Sequence, residues 1–474
     1  MSDKKMVQVN VPSHLASKRL KITNPTGRRK VQISTNFLPF FGFEPDTPVI
    51  ERSLGAGKGY VIELANGMPA KKKIYSREYR QRRNSPFETV SETTSKKILD
   101  EAIPPSTEVV HVTFTHGRII VKPIVNAKAE RINKVLNSEN PLSVFAACTS
   151  GVDAHAASSE GFKIQSVLEW RPEERRDRKS LTETGALTAM ANVEVEQLFN
   201  EDIGAVSTEY LAWATQKNPA TLFTVSLQCD DFSLSKAKSL KEKSLLDLSS
   251  TLDMAYDALR IIEKLQFPMV LLEQVPLFEN SDVGKMWDLR LRRMGYETTS
   301  VVLDARSYDG LTSRKRYFHF ATSLPIQFEW PEAKEWNKET LFEKLILDRM
   351  DDFRDISHTS SMKKGLETGR LRIINSESTY APTILKSQSR QAKDSCVIQK
   401  DTGEILFPDE KLLKDLMGIP DEFDLSAVNA EQASEQIGQA VDYPLYAQIM
   451  RQVKKHVSEF VRLMTPKGAN VLAA

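Results

Sequence analysis

The chain has 474 residues, enough for about two or three globular domains, and its 65 Lys and Arg against 63 Asp and Glu leave a net charge of only +2. No apolar run is long enough to span a membrane and the charged start MSDKKMVQV lacks a signal-peptide core, so we expect a soluble, cytoplasmic protein. Its three cysteines have no paired spacing and its histidines are few, which argues against a disulfide framework and predicts no metal site.

Positive charge is concentrated near the start of the chain. Residues 1–140 contain 24 Lys and Arg against 13 Asp and Glu, whereas the rest contains 41 against 50. The densest basic run, Lys71–Arg83, interleaves seven basic residues with Tyr75 and Tyr79. Such a run favours nucleic-acid binding, and a solvated charged helix is the alternative. Six side chains are predicted to contact DNA: Lys71, Lys72, Lys73, Arg80, Arg82 and Arg83.

Residues 1–128 are predicted to form a β-rich domain. The segments LKITN, RKVQIS, GYVIEL and VVHVTFTHGRIIVKP alternate as strands do, and NFLPFFGFEPDTPV predicts one helical turn closed by Gly42 and Pro45. The polar stretch Ser76–Lys97 is expected to be an exposed loop or linker. This pattern loosely resembles AbrB-like and SymE-like DNA-binding domains. The alternative is a β-rich extension that binds nothing.

The segment Pro141–Trp170 predicts a nucleoside-binding unit. It runs from a strand through the small-residue turn AACTSG and a helix to a second strand ending at Glu169. Small residues let the backbone approach a ligand closely, and an acidic residue after the second strand can accept both ribose hydroxyls. A third strand, in LFNEDI, is expected to end at Asp202, placed to meet an adenine amino group. Many such units bind nothing, which is the alternative.

Two further predicted strands end in reactive groups. VSLQCDDFS carries Cys229 into an acidic turn, and PMVLLEQV ends at Glu273. Because the carboxyl ends of parallel strands line one crevice, we expect both side chains in one site. A carboxyl sheltered by apolar neighbours tends to hold its proton and can act as an acid toward a ring nitrogen. Taken singly, a core cysteine and a surface glutamate are the ordinary alternatives.

Together these segments resemble the cytosine-5 DNA methyltransferase family over about Pro141–Val461. FAACTSG resembles its cofactor loop, LEW its ribose-binding carboxylate, QCDDFS its nucleophile loop and EQV its glutamate motif. SYDGLTSRKRYF resembles its arginine motif, while ILFPDEKLLKDLMGIPDEF and EQIGQAVDYPL are similar to its last two motifs. Seven segments occur in the family's order.

The resemblance implies methyl transfer from S-adenosyl-L-methionine to carbon 5 of cytosine in double-stranded DNA, in a restriction-modification setting. Cys229 would add to carbon 6 of an extruded cytosine, Glu273 would contact nitrogen 3, and Arg316 and Arg314 would hold the target. The alternatives are a catalytically impaired DNA-binding relative and an RNA cytosine-5 methyltransferase. The cofactor residues implied are Phe145, Ala147, Thr149, Gly151, Glu169, Trp170, Asp202, Ile203, Gln439 and Val441.

The chain departs from the family pattern around the nucleophile. Gln228 stands where proline precedes the family's cysteine, and Gln274 where asparagine follows its glutamate. Loss of proline should leave the thiol less preorganised. Both glutamines can donate and accept hydrogen bonds, so our hypothesis is that they support the nucleophile loop. Further departures are Thr312 for glutamine, Gln439 for asparagine and Ala147 for glycine.

The predicted architecture is a three-layer α/β methyltransferase fold with a mostly parallel sheet. Its catalytic domain begins at 129–325 and is interrupted by a small target-recognition region at 326–400. Residues 401–474 return to the catalytic domain and end in a helix over Tyr443–Met464. Acidic helices are expected over Trp330–Phe353. Four recognition-region side chains are predicted to contact phosphates or base edges: Arg370, Arg372, Lys386 and Arg390.

Overall fold

The computed structural model describes residues 10–24, 27–81, 87–173, 180–232, 238–336 and 338–464. The chain folds into two compact units, Met1–Glu130 and Arg131–Ala474. None of the helices within the described ranges is both long and apolar enough to cross a membrane.

The first unit contains two antiparallel sheets, ordered β1-β8-β9-β4-β3-β5 and β2-β7-β6. Alternation in β8 buries Val110, Val112 and Phe114, which join Phe43 and Tyr60 in the core of this unit. Its elements are β1 (Ala16–Lys21), β2 (Val31–Ser34), β3 (Pro48–Ser53), β4 (Tyr60–Leu64), β5 (Lys72–Lys73), β6 (Tyr75–Glu78), β7 (Phe87–Thr93), α1 (Lys96–Ala102), β8 (Val109–Thr115), β9 (Arg118–Ile124) and a 3-10 turn at Pro39–Phe41.

The polar stretch 76–97 is not the loop that its composition predicts. Strands β6 and β7 pair antiparallel from Tyr75 opposite Val90 to Glu78 opposite Phe87. The reason lies in FETVSET, where the β-branched residues Thr89, Val90 and Thr93 favour a strand and Val90 is fully buried, although charged neighbours mask this preference. The described part of the basic run is likewise strand and turn rather than helix. Arg82 and Arg83 lie outside the described residues.

The second unit is built around a seven-stranded sheet of order β12-β11-β10-β13-β14-β16-β15. The strands from β12 to β14 are parallel, and β16 runs antiparallel to both of its neighbours. The strands are β10 (Ser143–Ala147), β11 (Lys163–Leu168), β12 (Gln197–Phe199), β13 (Leu222–Ser226), β14 (Met269–Gln274), β15 (Glu297–Asp304) and β16 (Lys315–Thr322).

Helices cover both faces of this sheet. Side chains of β10 alternate, so that Val144 and Ala146 enter one core and Phe145 and Ala147 the other. This confirms the predicted three-layer α/β fold. The helices are α2 (Ala127–Asn137), α3 (Val152–Ser159), α4 (Thr184–Asn192), α5 (Thr208–Ala214), α6 (Lys238–Leu246), α7 (Met254–Leu265), α8 (Leu277–Asn280), α9 (Asp282–Arg293), α10 (Ser360–Glu367), α11 (Glu410–Leu416), α12 (Ala430–Gln439) and α13 (Tyr443–Met464).

A four-stranded sheet of order β17-β20-β19-β18 is inserted after the main sheet. Its last strand lies past residue 400, so the insert extends beyond the boundary set from sequence. The expectation of acidic helices over Trp330–Phe353 was wrong. The structure has a π-helical turn at Phe342–Ile346 and a 3-10 turn at Leu347–Asp352, and Trp330–Trp336 is not helical. The strands are β17 (Arg354–Asp355), β18 (Arg372–Ile374), β19 (Cys396–Gln399) and β20 (Ile405–Phe407).

The strand order fixes where a ligand can bind. The chain leaves β10 toward β11 on one side, whereas β13 lies on the other side of β10. In open α/β sheets this change of direction opens a crevice at the carboxyl ends of the two strands. The turn Cys148–Gly151 follows β10, and the loop containing Cys229 follows β13. The fold therefore brings these two segments to one crevice.

Candidate active site

Cys229 lies on a tight turn three residues beyond β13. Its carbonyl oxygen accepts a hydrogen bond from the backbone N–H of Phe232 at 3.0 Å, and the Phe232 ring packs against Phe278 with centroids 4.9 Å apart. Burial raises the pKa of the Cys229 thiol, although the nearby Arg316 charge opposes the shift. The thiol therefore has to lose its proton as it reacts, because the thiolate is the nucleophile.

Glu273 and Arg316 form an ion pair beside this turn. Ser226, at the end of β13, is the register partner of Glu273 in β14. The Arg316 Nε lies 2.8 Å from the Glu273 Oε1, and the two side chains are 14% and 10% exposed. Sequence reasoning expected an apolar shelter around this carboxyl, whereas the structure gives it a charged partner. The pair can present a hydrogen-bonding edge to a ring.

Arg314 is buried close to this pair. It is 2% exposed, and its guanidinium donates to the carbonyl oxygens of Ile384, Gly438 and Gln439, each at 3.3 Å. Burial, aided by the Arg316 charge, lowers the pKa of Arg314 to about 9. These contacts tie the insert and the end of α12 to the arginine motif. In this conformation Arg314 supports the site, whereas the sequence placed it on the target.

Gln274 holds the chain just before the nucleophile. Its Nε2 donates to the carbonyl oxygen of Leu227 at 2.9 Å and, more weakly, to that of Gln228 at 3.4 Å. Its Oε1 accepts from the backbone N–H of Val275 at 2.7 Å. These hydrogen bonds are the contacts that Gln274 needs if it supports the nucleophile loop, as our hypothesis states. Gln228 takes part through its backbone carbonyl.

The turn after β10 is shaped for close approach. Cys148 has a φ of 54° and Gly151 one of 88°, and a Cβ on Gly151 would lie 3.1 Å from the backbone of Ala189. The Thr149 hydroxyl accepts from the Gly151 N–H at 2.9 Å and donates to Asp153. Burial raises the pKa of Asp153 to about 6. The turn is thus fixed by its own side chains.

Glu169 follows β11 and lies against this turn. A Cβ on Gly185 would come within 2.4 Å of the Glu169 Oε1, so only glycine leaves space for the carboxyl. Burial raises the pKa of Glu169 to about 8, Asp153 adds to the shift, and Lys386 and the Thr149 N–H oppose it. Trp170, the next residue, is half-buried. This cradle suits a ligand that donates hydroxyl hydrogens to the carboxyl.

The other predicted cofactor residues differ in exposure. Phe145 is fully buried, with its ring 5.6 to 6.1 Å from those of Phe199, Phe223 and Phe267. Asp202 is exposed and accepts from the Gly204 N–H at 2.9 Å. The expectation that a strand ends at Asp202 was wrong, because β12 stops at Phe199. Ala147, Ile203 and Val441 are buried.

A buried ion cluster adjoins the cofactor side and was missed from sequence. Glu435 of α12 accepts from Arg171 Nε at 3.1 Å, from Lys386 at 3.3 Å and from Gln439 Nε2 at 3.2 Å. Arg171 is 264 residues from Glu435, so no local signal could have paired them. Lys386 was predicted to contact DNA. The structure pairs it with the buried Glu435 carboxylate, which needs positive partners, and its charge opposes the rise in the pKa of Glu169.

Several of the remaining predicted DNA contacts already have partners within the described residues of their own unit. Lys72 pairs with Glu51, and Lys73 with Asp46 at 2.5 Å, whereas Lys71 and Arg80 are exposed. In the second unit Arg370 is exposed with Asp394 at 3.8 Å, Arg372 donates to the Thr383 carbonyl at 3.2 Å, and Arg390 is exposed. Carboxylates and carbonyls thus already engage several of these cations.

Residues 196–455 match the family model for C-5 cytosine-specific DNA methylase. The Type II methyltransferase M.MspI of Moraxella sp is 27% identical over 213 residues, covering 42% of this chain and 49% of its own length. The Type II methyltransferase M.BsuFI of Bacillus subtilis is 28% identical over 219 residues, covering 43% and 52%. The chain spans about half the length of these curated relatives.

Solved structures show the same fold. The S. pombe Dnmt2 methyltransferase superposes with a TM-score of 0.51 at 14% identity, over 67% of this chain and 99% of that chain. A Spodoptera frugiperda DNMT2 mutant gives 0.50 at 13% identity, over 66% and 99%. None of these matches addresses the AbrB-like resemblance, which stays a prediction. The family match covers more than half of the 474 residues, so this chain belongs to the C-5 cytosine-specific DNA methylase family.

Proposed function

We propose that this chain methylates carbon 5 of cytosine in double-stranded DNA through a covalent bond between Cys229 and carbon 6. The observation that supports this most is the meeting of the Cys229 turn with the Glu273–Arg316 pair at the carboxyl edge of β13 and β14. A family member with a thiol and a paired carboxylate at this edge has the groups that the reaction requires. The relatives' Type II names further suggest a role in restriction-modification.

The cofactor side of the crevice fits S-adenosyl-L-methionine, on which the family and fold depend. The Glu169 carboxyl lies in a cradle that only Gly185 leaves open, where it can accept both ribose hydroxyls. The backbone of Cys148–Gly151 is turned for close approach. When bound, the cofactor supplies an electrophilic methyl group. We propose that the remaining contacts come from the neighbouring residues Trp170, Asp202 and Ile203.

The chain's own side chains account for the covalent steps. The Cys229 sulfur adds to carbon 6, which makes carbon 5 a nucleophile, because carbon 5 of cytosine is unreactive unaided. Glu273, oriented by Arg316, delivers a proton to nitrogen 3, which neutralises the negative charge that the added sulfur places on the ring, and takes the proton back when the sulfur leaves. After methylation, carbon 5 loses its proton to a base and the sulfur–carbon bond breaks. The thiolate is regenerated.

Access to the base requires extrusion from the duplex, since carbons 5 and 6 are covered in a stacked helix. We propose that the exposed cations Lys71 and Arg80 of the first unit, with Arg370 and Arg390 of the insert, contact phosphates. Such contacts position the duplex and carry little sequence information. Recognition by so small an insert should be short or relaxed.

Tritiated methyl transfer to defined duplexes tests this function. We expect label in cytosine of duplex DNA, at a level that Cys229→Ala reduces to background and that Cys396→Ala, in the remote strand β19, does not change. Transfer confined to transfer RNA would favour the RNA methyltransferase alternative. DNA binding without any transfer would favour the impaired relative.

A further inference from the structure

The nucleophile turn lacks the family's proline, so its rigidity has to come from other contacts. Gln274 holds the chain on the amino-terminal side of Cys229 through the Leu227 and Gln228 carbonyl oxygens. On the carboxyl-terminal side, the chain leaves Asp231 and returns to it at Ser250 and Thr251. We call the described residues 238–249 the excursion. It includes α6 and the following turn.

Asp231 closes the excursion. One of its carboxylate oxygens accepts from the Ser244 hydroxyl at 3.3 Å. The other accepts from the Ser250 hydroxyl at 3.0 Å, the Thr251 N–H at 2.8 Å and the Thr251 hydroxyl at 3.2 Å. Asp231 itself is 8% exposed. An ionised carboxylate only accepts, which suits a position surrounded by donors.

Cys229 therefore lies on a turn fixed at both ends. The Phe232 N–H closes the turn on the Cys229 carbonyl, and the Phe232 ring is held by Phe278. Asp231 stands between these two residues, so its carboxylate transmits the position of the excursion to the turn. The excursion also contains Leu246 and Leu248, which are 86% and 90% exposed.

We propose that Asp231 is a positioning residue whose hydrogen bonds to Ser244, Ser250 and Thr251 hold the Cys229 turn and the excursion as one body, so that the thiol is placed for attack. This inference rests on the proposed function. It assigns to Asp231 part of the stiffness that proline would supply before the cysteine. It assigns no contact between Asp231 and the cofactor or the base.

Covalent trapping on a 5-fluorocytosine duplex measures the attack. Asp231→Asn keeps the volume but turns an amide N–H toward the donors, and we expect adduct formation to slow at least tenfold at saturating DNA, with unchanged affinity for S-adenosyl-L-methionine. Ser250→Ala with Thr251→Val removes two hydroxyl donors and should give a smaller loss. When these two substitutions are added to Asp231→Asn, we expect no further loss in the rate of adduct formation. Asp282→Asn, fully exposed at the start of α9, is the matched control.

Amide hydrogen exchange gives a readout that does not depend on activity. We expect Asp231→Asn to raise exchange in residues 238–251 while β13, β14 and the cofactor turn stay protected. If wild-type protein forms no adduct, the proposed function fails, and exchange still decides whether the Asp231 contacts exist. Three results would each overturn the inference. They are adduct formation by Asp231→Asn at the wild-type rate, additive losses of that rate in the combined variant, and unchanged hydrogen exchange in residues 238–251 of Asp231→Asn.

Discussion

The two sides of the crevice are supported in different ways. On the nucleophile side, Gln274 and Asp231 hold Cys229 through hydrogen bonds to residues within about 50 positions along the chain. On the cofactor side, Glu169 depends on Gly185 and on an ion cluster that joins Arg171 to Glu435 across 264 residues. We therefore propose that departures from the family pattern on the nucleophile side are compensated locally. The cofactor side couples to the insert through Lys386.

The largest expected effect comes from breaking the ion pair on the nucleophile side. Arg316→Ala leaves the Glu273 carboxylate almost buried without its partner, so single-turnover methyl transfer should fall by about 10²-fold or more. Arg316→Lys should recover part of the rate, because it restores charge without the planar fork. Lys285→Ala, on the exposed face of α9, is the control. A rate within twofold of wild type for Arg316→Ala would remove the pair from the mechanism.

Gln274 tests whether the nucleophile side is adapted or merely degraded. Gln274→Ala removes two donor contacts to the turn, so turnover should fall about tenfold with little change in cofactor affinity. Gln274→Asn, combined with Gln228→Pro to match the family, should not exceed wild type, because the surrounding contacts are built for glutamine. Steady-state methylation of a duplex measures both. An increase in the family-like variant would contradict the adaptation.

The ion cluster around Glu435 should affect the cofactor side of the crevice. Arg171→Ala leaves the Glu435 carboxylate buried with Lys386 and Gln439, and we expect the Kd for S-adenosyl-L-methionine to rise about tenfold. Isothermal titration measures this. The rate of covalent trapping at saturating cofactor should stay near that of wild type. A lower rate of covalent trapping with unchanged affinity for S-adenosyl-L-methionine would contradict the assignment of this cluster to the cofactor side.

A pH dependence follows from the buried carboxyls of the cofactor side. Burial raises the pKa of Glu169 to about 8 and of Asp153 to about 6. Each group holds its proton in the folded chain at pH values where the unfolded chain has lost it. The free energy of unfolding should therefore fall as the pH rises from about 4.5 to about 8. Glu169→Gln should lessen this fall in thermal unfolding curves, and an equally steep curve would contradict it.

The smallest effects are expected from the exposed cations. Lys71→Ala and Arg80→Ala should each weaken duplex binding about two- to threefold and reduce its salt dependence, as loss of a phosphate contact does. Lys73→Ala is a matched comparison, since Lys73 already pairs with Asp46. Fluorescence anisotropy at several salt concentrations measures the slope. Equal slopes for all three variants and wild type would exclude the first unit from the duplex interface.

How far the sequence predicted the site depends on the range of each contact. Cys229 and Glu273 were identified because each follows or ends a strand with a clear apolar pattern, and the parallel order of β13 and β14 brings both to one edge. Arg316 was implied only by the family's arginine motif, and it reaches this edge because β16 runs antiparallel to β14. Arg314 was placed on the target, since sequence shows a charge but not the carbonyls around it. The Glu435 cluster could not be predicted, because it joins segments that meet only in the folded chain.

The fold was predicted in its layers more reliably than in its irregular segments. Apolar strands and amphipathic helices of the second unit follow from local periodicity, which is why the three-layer arrangement was clear. Strands β6 and β7 were missed because charged residues outnumber and conceal their strand-forming residues, and the acidic segment before the insert forms only short turns. The charged composition of these segments reflects their exposure to solvent and does not predict whether they form helices.

The most direct test of the central claim is the identity of the residue that bonds to the base. Wild-type protein incubated with cofactor and a 5-fluorocytosine duplex should form a stable adduct, and mass spectrometry of its peptides should place the nucleotide on Cys229. Cys229→Ala should form none. Methyl transfer that survives in Cys229→Ala, or a nucleotide attached to another residue, would contradict the account.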